Sequence, residues 1–179
     1  MANGDQDEYQ RANAAALRLL TFCDRSKKDL RERLLKKDYP VGVVERVIQR
    51  SESMGYLDDE RFAVKFAIDV VRRKNAGPAA VRYGLQQKGI ERRIIDETVG
   101  KVFQENEERE AAKRALRKRL AAPAFMAGNK RGINPRATGR HQGPEIRKAE
   151  IKRLSNFLRR KGFSYDIIKA AIGEIEDDI

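Results

Sequence analysis

The sequence predicts an all-α protein, an elongated tandem array of three three-helix repeats. Three observations carry this. First, three segments align without gaps: LRERLLKKDYPVGVVERVI from Leu30, VRYGLQQKGIERRIIDETV from Val81 and LSNFLRRKGFSYDIIKAAI from Leu154, offset by 51 and then 73 positions. Second, apolar residues recur three and four apart in and between them, whereas no segment alternates with period two. Third, each unit is too small to bury a good core alone, so neighbours must stack. The boundaries expected are 1–57, 58–105 and 106–179.

The first helix of the first repeat covers about residues 9–23, with Leu17, Leu20, Leu19 and Cys23 on one side. Ser26 caps the second helix, and Asp29 lies in its first turn. That helix must end at Asp38. The matching positions are Gly89 and Gly162, where a glycine takes the left-handed C′ conformation without a Cβ clash, a conformation aspartate tolerates better than most residues. A lysine precedes each: Lys37, Lys88 and Lys161. After each turn comes an apolar residue, Tyr39, Ile90 or Phe163. It has hydrophobic-staple spacing to Val44, Ile95 or Ile168 and so opens the third helix. Ser164 is a good N-cap there; Pro40 and Glu91 are poorer ones.

The second repeat opens with a helix over about 59–74, carrying Phe62, Phe66 and Val70 four apart. Asn75, Ala76, Gly77 and Pro78 then break the chain, with proline favoured at the next helix start. The third repeat opens with a helix over about 107–121, carrying Ala112, Ala115, Leu116 and Leu120. The larger second offset locates a 22-residue insertion within 121–144. This stretch has three prolines, four glycines, Lys130, Arg131, Arg136 and Arg140, and no acid. It reads either as a flexible insertion or as a basic arm that orders on a polyanion.

Charge is unevenly placed. The 179 residues carry a net +12, but residues 109–161 hold 17 Lys and Arg against Glu110, Glu145 and Glu150, a local +14 that leaves −2 for the remainder. A concentrated positive field attracts polyanions, of which nucleic acid is the commonest. One cysteine, Cys23, and one histidine, His141, make neither an internal disulfide nor a four-ligand zinc site. Cys23, on an apolar helix face, is expected to be a buried structural thiol. The polar N-terminus is not a signal peptide, and no stretch approaches the ~20 apolar residues of a membrane span. The expectation is a cytoplasmic protein.

Between the first two repeats lies Gly55-Tyr56-Leu57-Asp58-Asp59-Glu60-Arg61-Phe62-Ala63. Local structure explains much of it. Gly55 ends one helix, Asp58 caps the next, Leu57 and Phe62 have staple spacing, and Asp59 and Glu60 favour a helix N-terminus. The segment also resembles the most recognisable signature of the RecX family. Ser26-x-x-x-Leu30-x-x-x-Leu34 upstream, Lys88-Gly89-Ile90 downstream, and Phe157-Leu158-Arg159-Arg160-Lys161-Gly162-Phe163 near the end extend the resemblance over about 16–175. Asp38 in place of the usual glycine and the long basic insertion depart from the pattern. The resemblance implies tandem three-helix repeats that bind the RecA–DNA filament along its groove. It implies restraint of RecA's ATPase, strand exchange and coprotease activities, with no catalytic site or cofactor.

The residues agree with a non-enzyme. Asp58 and Asp59 are the most tempting carboxylate pair, but adjacent helical residues do not face one another. There is no phosphate-binding glycine loop. The candidate contacts to DNA or the RecA filament are Arg92, Arg93, Lys113, Arg114, Arg117, Lys118, Arg119, Lys130 and Arg131. The expected partners are the RecA filament and single- and double-stranded DNA, with no membrane, the protein acting as a monomer. The alternative is a stand-alone helical DNA-binding or architectural protein. Against it, would-be recognition helices over 43–54 and 165–175 carry mixed or acidic charge.

Overall fold

A computed structural model describes residues 2–104, 107–121 and 144–177. Among these it is all-helical: α1 (Ala2–Phe22), α2 (Lys27–Leu35), α3 (Val41–Ser53), α4 (Asp59–Lys74), α5 (Pro78–Gln87), α6 (Arg92–Val102), α7 (Glu107–Leu120), α8 (Pro144–Arg160) and α9 (Tyr165–Asp177). The repeated helix–turn–helix segments fall on α2–α3, α5–α6 and α8–α9. Lys130, Arg131 and His141, with nearly all of the basic insertion, lie outside the described residues.

The three turns share one backbone solution. Asp38, Gly89 and Gly162 have φ of 63°, 73° and 84°. At the second, Gly89 N–H donates to Gln86 O and Ile90 N–H to Leu85 O. At the third, Gly162 N–H donates to Arg159 O and Phe163 N–H to Leu158 O. These are paired Schellman bonds, which satisfy the last carbonyls of a helix and bring C″ against C3. Leu85, Ile90, Leu158 and Phe163 are all buried, as are the staple partners Val44, Ile95 and Ile168. Gly55 (φ 70°) closes α3 the same way, its N–H donating to Glu52 O and that of Tyr56 to Ser51 O.

The chain divides into two compact units, Met1–Ala67 with Tyr83–Thr98 and Ile68–Arg82 with Val99–Ile179. In the first, α1, α2 and α3 enclose a core of Ala12, Ala16, Leu30, Leu34, Val43, Val44, Val47 and Ile48. Ser26 caps α2, its hydroxyl accepting from Asp29 N–H at 3.2 Å. Two expectations for α1 are corrected. The helix begins at Ala2, well before residue 9, and Asp5 pairs with Arg46, which also lies over the Tyr9 ring. Its inward face is Ala12 and Ala16 with Tyr9, Leu19 and Leu20 half-buried beside them; Leu17 points outward. Small residues let α3 approach closely, and a leucine stripe would hold it off. Cys23 is exposed, not buried, because α1 ends at Phe22 and leaves it on the connection.

In the second unit α7 packs on α8 and α9. Its core includes Ala111, Ala112, Ala115, Leu116, Leu154, Leu158, Phe163, Ile168 and Ile172. Ser164 precedes α9 as expected, but its hydroxyl donates to Glu108 of α7. That carboxylate also takes the Ser164 N–H, doing across helices what a capping-box acid does within one.

Each unit contains a dock of the same kind. In the first, Lys28 of α2 lies over the turn after α5. Its Nζ donates to Gln87 O at 3.4 Å, and a Cβ on Gly89 would stand 2.5 Å from its Cδ. In the second, Gly77 and Ala79 at the head of α5 donate their N–H groups to Lys161 O and Gly162 O at 2.8 and 3.1 Å. A Cβ on Gly162 would collide with the Ala80 nitrogen. The two docks are equivalent under the sequence repeat: Lys28 matches Ala79, and Gly89 matches Gly162. A helix head, rich in unpaired N–H groups, meets a helix tail, rich in unpaired carbonyls. Asp38, at the same position in the first repeat, is exposed. Its Cβ therefore has room where those of the two glycines would not.

Candidate nucleic-acid interface

The signature segment is a structural joint within the first unit. Asp58 Oδ1 accepts from Arg61 N–H at 2.9 Å and so caps α4. Asp59 Oδ1 accepts from Lys27 N–H at 2.9 Å, satisfying an orphan donor at the head of α2. Arg61 donates to Gly55 O, and Leu57 is buried. Burial holds the Asp59 carboxyl above its ordinary value, against the lowering pull of the Lys27 N–H and ammonium. A cleft of about 510 Å³ opens beside the joint, lined by Lys27, Lys28, Arg31, Glu52, Asp59 and Arg93 among others. Two ion pairs form within its lining, Lys27 with Glu52 and Arg93 with Glu60, while Arg31 pairs with Glu45 outside it. Among the described residues, no group of three His, Cys, Asp or Glu could hold a metal ion.

The basic side chains proposed from sequence divide by environment. Arg93, in the first unit, is bonded to Glu97 at 2.8 Å and Glu60 at 3.2 Å, and both partners raise its pKa. Arg92, at the start of α6, is almost wholly exposed, its Nε 3.9 Å from Asp96. In the second unit Lys113 bridges Glu110 and Glu174 and is only 23% exposed. Arg114 pairs with Glu107 at 2.8 Å. Arg93, Lys113 and Arg114 are thus each paired with acids of the same chain. Arg117, Lys118 and Arg119, in the last turn of α7, are exposed.

Around them the second unit assembles more than sequence spacing revealed. The last turns of α4, α7 and α8 each end in basic residues, as helix dipoles favour. Two cations, Arg119 from the end of α7 and Lys161 just after α8, meet over the ring of Phe157. Arg119 lies over its ring at 5.6 Å, and Lys161 Nζ over the same ring at 5.7 Å. Lys161 Nζ also donates to Lys74 O at the end of α4. Burial first, then the charges of Lys118 and Lys74, holds the Lys161 ammonium below the ordinary lysine range. Cations brought close enough to oppose one another's charge form a place where an anion is favoured. Lys74 and Lys161 were not among the sequence candidates. The recurrence of lysine before each turn (Lys37, Lys88, Lys161) was the available signal, but it looked like helix-end chemistry alone.

Comparison with known proteins gives a consistent result. Two family models match, "RecX, first three-helix domain" over residues 12–50 and "RecX, second three-helix domain" over residues 58–99. A protein named "Regulatory protein RecX" from Clostridium acetobutylicum is 29% identical over 172 residues, 96% of this chain and 72% of that protein. Another, from Streptomyces coelicolor, is 28% identical over 177 residues, covering 97% and 84%. The crystal structure of RecX from Lactobacillus salivarius superposes with a TM-score of 0.75 at 20% identity, covering 96% of this chain and 98% of that one, a likeness of fold.

Proposed function

This chain belongs to the RecX family of regulatory proteins, and from that premise we propose that it binds the RecA–DNA filament and restrains RecA's ATPase, strand exchange and coprotease activities. It acts by binding, as a cytoplasmic monomer of three three-helix repeats (1–57, 58–105 and 106–179), without a cofactor or a catalytic step of its own. The engagement of both signature carboxylates in helix capping supports the non-catalytic reading.

The observation that carries the contact to nucleic acid is the meeting of Arg119 and Lys161 over Phe157, with the charges of Lys74 and Lys118 close to Lys161. Phosphate binding by exposed cations releases counterions, so affinity falls with salt. An aromatic ring among cations suits single-stranded DNA, whose bases stack on such surfaces. Arg92, Arg117 and the insertion residues Lys130 and Arg131 extend the candidate set. Arg93, Lys113 and Arg114 would have to leave acidic partners to join it.

The test is DNA affinity against salt for the wild type and for Lys118→Gln/Arg119→Gln. The wild type is expected to show a log–log slope of about −0.7 to −0.9 per phosphate contact, and the variant a slope smaller by one or two contacts. A flat response in the wild type would remove the DNA contact while leaving RecA binding to be measured directly. The second reading, a stand-alone DNA-binding protein, would show the same slope but no effect on RecA beyond masking of DNA.

A further inference from the structure

We infer that Lys161 is a site of acylation by small acyl phosphates, and that this modification turns down the basic cluster around Phe157. The geometry points to this lysine above the others of the chain. Its amine is half-buried and held in place by a bond to Lys74 O and by the Phe157 ring. Two further lysines, Lys74 and Lys118, and Arg119 stand around it, from α4 and α7.

That setting does two things for the reaction. The surrounding cations draw in an anionic donor, so the acyl phosphate is concentrated where the amine stands. The same cations, with burial, favour the uncharged amine, which is the nucleophile. The exposed lysines Lys36, in the turn after α2, and Lys101, on α6, have neither advantage.

The step balances without a further reactant. The ammonium gives one proton to solvent. The free Nζ pair attacks the acyl carbon, and an N–C bond forms. The C–O bond to phosphate breaks, and inorganic phosphate leaves with that electron pair. The second amine proton is lost as the neutral amide forms. The product keeps the chain's shape but removes one charge from the cluster. Its effect on DNA rests on the phosphate-contact reading above; the acylation itself does not, so the two can fail separately.

The experiment incubates the full chain with acetyl phosphate at neutral pH and follows each lysine by peptide mass mapping. Lys161 is expected to acetylate at least about threefold faster than Lys36 and Lys101, as a desolvated amine among cations should. Lys118→Gln, a change on an exposed surface, is expected to slow acetylation of Lys161 and leave Lys36 unchanged. Rates at Lys161 no higher than at Lys36, or a Lys161 rate indifferent to Lys118→Gln, would overturn the proposal. A matched pair then reads the consequence: Lys161→Gln should weaken DNA binding and Lys161→Arg should retain it. Equal affinities for the two would remove the regulatory role even if acetylation is fast.

Discussion

At the residue scale, single positions fix the turns. Gly162→Ala would force an alanine into the left-handed region and drive its Cβ into the backbone of Ala80. A loss of about 2–4 kcal/mol is expected in chemical denaturation. Asp38→Gly, at the exposed equivalent turn, should change stability by no more than about 1 kcal/mol, and in the stabilising direction. Asp58→Ala should cost about 1 kcal/mol through loss of the α4 cap. The carboxylates of the first unit respond to pH with opposite signs. Asp29 is pushed up by burial, but the bonds from Arg25 and Arg33 outweigh this and hold it below 3.8. Its stabilisation is present above the ordinary value and is lost as pH falls through the depressed one. Asp59 is held above 3.8 by burial, so its stabilisation is present below that value and is lost as pH rises through the raised one. Urea midpoints should therefore show Asp59→Asn gaining on the wild type between acid and neutral pH, and Asp29→Asn falling behind it.

At the element scale, what was legible in sequence was local. The αL turns, the staples, the Ser26 and Asp58 caps and the bounds of α4 all follow from side chains within a few residues of one another. The inward face of α1 did not, because its partner is distant in sequence. Ala12 and Ala16 are favoured over Leu17 by the closeness of α3, which no local pattern encodes. The exposure of Cys23 follows from the same displaced face and the helix end at Phe22. The head-to-tail docks were also hidden, since Gly77 looked only like part of a loop. A Cβ on Gly77 would stand 2.5 Å from Gly162 O. Hydrogen exchange on Gly77→Ala should therefore show faster exchange at residues 79–82 and 161–163, with α1, α2 and α3 protected as in the wild type.

At the scale of the whole molecule, the sequence located the positive charge in the last third of the chain but not how it is used. Counting charges could not separate Lys113, folded onto Glu110 and Glu174, from Lys118, which is exposed in the last turn of α7. Nor could it bring Lys74 to Lys161, which are 87 residues apart. Family membership supplies the regulatory role, and the proposal above assigns contact with phosphate to the basic residues beside Phe157. The most direct measurement is RecA ATPase on single-stranded DNA with this protein titrated from well below one molecule per RecA, beside an unrelated DNA-dependent ATPase. Inhibition of RecA at substoichiometric protein, with the unrelated enzyme unaffected, is the expected result. An unchanged RecA rate at saturating protein, or equal stoichiometric inhibition of both enzymes, would contradict RecA-directed regulation.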